Sequence, residues 1–292
     1  TEACEYKRNF LKFNPTMEVI LNIDEDHLDY YKDLKDIENA FLEYAKKLPN
    51  DGLLIVNDKN KSLFNDLSCT ITSFGYDDKA DFYPKDIKYF PAPSYKLMHK
   101  GTEVMDINLK VYGEHNILNS VAASAACIML KIDIKSIQKG LYNFTGTHRR
   151  YEFKGNYKGA VLIDDYAHHP TEMETTLKTA RAYSHGKIIT VFQPHTYSRT
   201  KALLEDFAKV LKLSDYTILL DIYAAREKDT GIIHSRDLLN KMKEFSAEGV
   251  YAENFDAAKS VIDSLVREGD TVISMGAGNV NEILKCLTIE KQ

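Results

Sequence analysis

The chain has 292 residues, 44% hydrophobic and 28% charged side chains and a formal net charge of −5, the balance of a soluble globular protein with room for two domains. Acids and bases are interspersed, so no long basic run offers a footprint for nucleic acid, and no apolar stretch is long enough to span a bilayer. Cys4, Cys69, Cys127 and Cys286 are scattered without a C-x-x-C pair, which argues against a zinc site or disulfide framework and for reduced thiols in a cytoplasmic protein.

The chain begins at Thr1, without Met and without a signal-peptide pattern, and is expected to be a fragment or a processed chain. Met17 to Ile23 reads as a buried strand ending in the acidic loop Asp24-Glu25-Asp26-His27. Leu34, Ile37, Phe41, Tyr44 and Leu48 follow at alternating spacings of three and four, one face of a helix. Asn50-Asp51-Gly52 is a turn before a short strand, Leu53 to Val56. The stretch from Asp81 to Tyr112 contains three prolines and reads as irregular β structure. Asn116 to Leu130, Ala-rich and almost free of charge, predicts a buried helix.

From Gly159 strands and helices alternate. Predicted strands are Ala160 to Asp164, Lys187 to Phe192, Tyr216 to Asp221, a short one around Val250, and Thr271 to Met275. Predicted helices open at Pro170 and run over Arg199 to Leu213, Asp237 to Lys243, Phe255 to Val266 and Val280 to Leu287. This alternation predicts a doubly wound α/β domain. The boundary falls near Phe144, giving expected domains 1–144 and 145–292.

In such sheets ligands bind beyond the carboxyl ends of the strands. Asp164-Asp165-Tyr166-Ala167-His168-His169-Pro170-Thr171-Glu172 leaves one strand end and enters a helix. Helix capping accounts for one of those residues; two carboxylates and two imidazoles point to ligand binding or proton handling. Gln193-Pro194-His195-Thr196-Tyr197-Ser198-Arg199 leaves the next strand, and Arg199 near a helix start is expected to hold an anion. Gly146-Thr147-His148-Arg149-Arg150 suits a polyphosphate, although twin arginines are often a solvated face. Glu2 to Glu5 together with Asp26-His27 would suit a partly hydrated Mg²⁺, although surface charge is the plainer reading. Gly276-Ala277-Gly278-Asn279 reads as a tight strand–helix turn rather than a phosphate loop. Asn116 and Asn119 share a helix face and either read a base edge or cap the helix.

Taken together, the runs EACEYKRNFL, NIDEDHLDYY, EHNILNSVAA, GTHRRYE, DDYAHHPTE, FQPHTYSRT, DIYAAREKDTG and SMGAGN resemble the Mur ligases of peptidoglycan synthesis, in the branch that adds L-alanine. The resemblance implies a partial central ATP-binding domain followed by a Rossmann-like C-terminal ligase domain. It also implies a reaction. ATP phosphorylates the lactyl carboxylate of UDP-N-acetylmuramate, and the amine of L-alanine attacks the acyl phosphate to give an amide, ADP and phosphate. By the same resemblance Glu2 and His27 match the Mg²⁺-binding pair, Asn116 and Asn119 lie near adenine, and Asp165 matches the ribose-binding residue. Arg149 or Arg150 matches the arginine on the phosphates, His168 and Arg199 stand around the muramate carboxylate and L-alanine, and Tyr166 and His195 line the same cleft.

Three departures qualify the match. The family's G-T-x-G-K-[ST] phosphate loop is absent from these residues, so the chain alone is expected to be inactive. Asn39-Ala40-Phe41-Leu42 offers no lysine where sister ligases carry a carbamylated one, and Thr196 stands where some relatives have Arg. The competing expectations are a murein peptide ligase, which attaches a recycled tripeptide to the same nucleotide sugar, and a non-catalytic binding fragment.

Overall fold

The computed structural model describes residues 1–27 and 30–287. Leu28 and Asp29, inside the quoted run NIDEDHLDYY, lie outside the described residues. The chain divides into two compact units, Thr1–Thr145 and Gly146–Gln292.

The first unit holds a six-stranded sheet of β1 (Met17–Ile20), β2 (Leu53–Asn57), β3 (Thr70–Phe74), β4 (Phe82–Lys88), β5 (Ser94–His99) and β6 (Thr102–Asn108), in that spatial order. β1 to β4 run parallel, and β4, β5 and β6 are antiparallel. The predicted irregular β region is an antiparallel meander whose register shifts between Lys85 and Lys88 and between Leu97 and Met98. Its prolines sit at an antiparallel strand and a connecting loop, where a missing N–H disturbs few ladder bonds. β1 also stops at Ile20, three residues before the predicted end.

α1 (Leu34–Ala45) starts at Asp33, whose side chain accepts from the Asp36 amide. It covers one face of the sheet, while α2 (Glu114–Met129) and α3 (Ile134–Asn143) cover the other. Ile117, Val121 and Ala125 of α2 pack on Ile55, Phe74 and Phe82. β3 and α3 are additional to the predicted elements; Ile134, Ile137 and Leu141 form the core-facing side of α3.

The second unit is an open sheet in the order β11-β10-β9-β12-β8-β7. β8 (Ala160–Asp165), β9 (Ile188–Phe192), β10 (Tyr216–Leu219), β11 (Gly249–Tyr251) and β12 (Thr271–Met275) are parallel. β7 (Glu152–Tyr157), unforeseen in the sequence, closes one edge antiparallel to β8. α4 (Pro170–Tyr183), α6 (Leu204–Leu211) and α7 (Ser235–Glu244) pack on one face; α8 (Phe255–Leu265) and α9 (Ile283–Cys286) pack on the other.

Strand residues alternate between these layers: Ile163, Phe192 and Ile273 face the first core, and Leu162, Val191 and Val272 the second. A sheet buried on both faces needs apolar residues at both parities, hence the continuous apolar runs. The helix predicted over Arg199 to Leu213 is two, α5 (Tyr197–Ala202) and α6, because Leu203 leaves the helical region at φ −109°, ψ 22°. The helix predicted over Val280 to Leu287 is a 3-10 turn, Val280–Glu282, followed by the short α9.

Glu18 of β1 is only 4% exposed, and among the described residues neither carboxylate oxygen has a hydrogen-bond partner. Burial pushes its carboxyl group up to about 7 from an ordinary 4.5. The folded chain then holds this proton to a higher pH than the unfolded chain, so stability falls as pH rises through that interval. Glu18→Gln keeps the shape and has no proton to lose. In denaturant titrations the variant is expected to be more stable than the parent chain by about 1–3 kcal/mol at pH 8, with the difference closing toward pH 4.5.

Candidate active site

The chain winds one way from β8 over β12 to β9, β10 and β11 and reverses when it returns to β12, so β12, whose following helix packs on the opposite face, lies between β8 and β9. Such a switch opens a crevice at the carboxyl ends of the strands. The two richest polar runs, 164–172 and 193–200, leave the sheet there.

Asp164 is 1% exposed. Its Oδ2 accepts from Arg149 Nε at 3.1 Å, and its Oδ1 accepts from Ser274 Oγ at 2.7 Å. Arg149 also donates to the carbonyls of Gly276 at 2.7 Å and Gly278 at 3.1 Å. Three of its donors are thus used inside the unit, tying the end of β8 to the loop after β12. Gly276-Ala277-Gly278-Asn279 is accordingly a packed turn. A Cβ at Gly278 would lie 2.7 Å from the Tyr223 ring, which is why no side chain fits there.

Arg150, the other member of the pair, is exposed and reaches Glu172 Oε1 at 3.4 Å. Its guanidinium also lies 5.8 Å from the centre of the Tyr166 ring. Asp165 faces inward: it is 4% exposed and accepts from the Tyr151 amide at 2.9 Å, the Ala167 amide at 2.8 Å and Thr176 Oγ1 at 3.0 Å. Burial raises its pKa, against the pull of those donors. Asp165, expected to match the ribose-binding residue, is held here by donors of its own unit. The carboxylate shapes the loop after β8, because buried amides and a hydroxyl claim it first.

The adjacent histidines divide their work. His169 caps α4 in a reciprocal arrangement with Glu172. His168 Nδ1 lies 3.0 Å from the Tyr166 carbonyl and 3.3 Å from Glu172 Oε2. Since a carbonyl only accepts, Nδ1 carries hydrogen, and the lone pair of the neutral ring is assigned to Nε2. The His168 ring lies 5.4 Å from Tyr166 and 5.6 Å from His195, centroid to centroid, and His195 stacks on Tyr223 at 5.8 Å and 18°.

Burial, then the positive fields of His168, Arg199 and Arg226, push the His195 pKa down to about 4. His195 is thus neutral at physiological pH. Tyr166, His168, His195 and Arg199 are brought into one neighbourhood, as the sequence suggested. Tyr223 was missed: the run DIYAAREKDTG was noticed, but its place at the end of β10 was the only signal that its aromatic ring belongs in the crevice.

In the first unit, His27 Nε2 lies 3.3 Å from Glu5 Oε1 and 3.8 Å from Asp26 Oδ2. The hydrogen bond from His27 lowers the Glu5 pKa. A ring nitrogen that donates to a carboxylate has no lone pair for a cation. Glu2 is exposed, and among the described residues no group of three or more His, Cys, Asp or Glu is arranged to hold a metal ion. Asn116 Nδ2 donates to the Tyr112 carbonyl at 2.7 Å, and Asn119 is exposed one turn along α2.

The different duties of the twin arginines can be measured. Arg149→Ala leaves Asp164 buried without its cation and is expected to cost about 2–4 kcal/mol in denaturant unfolding. Arg150→Ala is expected to change stability by less than about 0.5 kcal/mol.

The fold and its crevice correspond to known proteins. Residues 2–127 match the Mur ligase middle domain, and residues 149–278 match the Mur ligase, glutamate ligase domain. The chain belongs to the Mur ligase family. It is 45% identical over 288 residues to the UDP-N-acetylmuramate–L-alanine ligase of Lachnospira eligens, covering 97% of this chain and 63% of that protein. The chain thus spans less than two thirds of the length of this relative. Among solved structures it resembles the UDP-N-acetylmuramate–alanine ligase of Thermotoga maritima, with a TM-score of 0.77 and 24% identity over 96% of this chain and 60% of that one. It also resembles a MurF ligase of Thermotoga maritima in complex with ADP, with a TM-score of 0.74 and 16% identity over 95% of this chain and 63% of that one. At these identities the structures establish the shared fold.

Proposed function

We propose that these residues form the greater part of an ATP-dependent ligase that joins L-alanine to UDP-N-acetylmuramate in cytoplasmic peptidoglycan synthesis. The observation that carries this reading is the 45% identity, across 97% of the chain, to a relative of that name. The crevice supplies chemistry of the right kind. The γ-phosphoryl group of ATP passes to the lactyl carboxylate, giving an acyl phosphate and ADP. The L-alanine nitrogen, having lost a proton, attacks the acyl carbon, the amide forms, and inorganic phosphate leaves.

In this reading Arg150 faces phosphate charge, and Arg199 receives the carboxylate of L-alanine through charge-assisted hydrogen bonds. His168, with its lone pair assigned to Nε2, orients the amine. His195 stays uncharged beside them, so it adds no positive charge that would repel the alanine ammonium. Asn116 and Asn119 are the proposed contacts to adenine. The complex of a MurF ligase with ADP is consistent with a nucleotide on this fold.

Two measurements check the proposal. No G-K-[ST] phosphate loop occurs in the 292 residues, and that loop supplies the amide cradle and lysine a triphosphate needs. This chain alone is therefore expected to release no phosphate from ATP above background, with UDP-N-acetylmuramate and L-alanine present. The second uses a ligase carrying these residues together with the upstream third found in the relatives. His168→Asn is expected to raise KM for L-alanine while the pH–rate profile keeps its shape. Loss of the acidic limb with a fall in kcat of about 10²–10⁴-fold would instead make His168 a general base. Offering the tripeptide of the murein peptide ligase in place of L-alanine separates that substrate choice.

A further inference from the structure

Arg199 sits on α5, a helix of six residues whose start has no cap of its own. Thr196, at the N-cap position, makes no side-chain capping bond and holds φ 66°, ψ 145°, a conformation that β-branched residues rarely adopt. Something outside the helix must hold it there.

The loop after β10 does so. The Thr196 amide donates to the Tyr223 carbonyl at 2.9 Å, and the Tyr223 amide donates to the Pro194 carbonyl at 2.8 Å. From the same loop Glu227 places its carboxylate on the start of α5. Its Oε2 accepts from the Ser198 amide at 3.0 Å, its Oε1 accepts from Ser198 Oγ, and it also receives the Tyr197 amide. Burial alone would raise the Glu227 pKa, but these donors outweigh it and hold the carboxyl group below its ordinary value. The amides at the start of α5 are thus occupied by the protein's own carboxylate.

We infer that Glu227 is a positioning residue of the ligase site: by capping α5 across the crevice loops it fixes the backbone from which Arg199 reaches the alanine carboxylate. This rests on the substrate role proposed for Arg199. Glu227 acts through Ser198 and does not itself touch substrate.

The test is a double-mutant cycle in a ligase carrying these residues with the upstream third of the relatives, read as kcat and KM for L-alanine. Glu227→Ala is expected to raise KM about tenfold with kcat within about threefold. Glu227→Gln keeps a carbonyl for the Ser198 amide and is expected to recover most of that loss. Adding Glu227→Ala to Arg199→Ala is expected to change little, because the residue it positions is gone. On this chain alone, amide exchange at Ser198 is expected to quicken about tenfold in Glu227→Ala. Losses that add independently, or an unchanged KM in Glu227→Ala while Arg199→Ala raises it, would overturn the inference alone. An unchanged KM in Arg199→Ala would overturn the substrate role of Arg199 and the inference with it.

Discussion

The ion pair between Arg149 and the buried Asp164 organises the crevice of the second unit. A carboxylate with 1% exposure is stable only if its charge is matched and its lone pairs filled, and Arg149 and Ser274 do both. The same guanidinium collects the carbonyls of Gly276 and Gly278, so the loops after β8 and β12 hold one geometry. Everything placed on them, from Tyr166 and His168 to the glycine that makes room for Tyr223, inherits that rigidity.

The electrostatics beside this pair keep the His195 imidazole neutral. His195 is pressed between burial and three positive neighbours, which drives its proton off. His168 spends Nδ1 on a carbonyl and on the carboxylate that caps α4.

The first unit carries its polar candidates differently. His27 is engaged with Glu5 and Asp26, and Asn116 spends its amide on the end of the preceding loop. These groups are satisfied by partners within the unit.

Much of this was legible in the residues themselves. The strands β8, β9 and β12 announced themselves because a sheet covered on both faces is apolar at positions of both parities, and Pro170 marked the start of α4. The runs 164–172 and 193–200 identified the crevice because polar residues cluster where parallel strands end, and they carried the family resemblance. What the sequence could not assign was which neighbour turns inward. Asp164 and Asp165, Arg149 and Arg150, His168 and His169 are adjacent pairs of like residues. Their separate roles follow from which of the two points into the core and which amides are within reach. The cap from Glu227 was likewise invisible, because it joins the start of α5 to a residue 29 positions further along the chain. Periodicity and composition are properties of a segment; the partner of a buried polar atom is a property of the packed whole, and only the tertiary structure decides it.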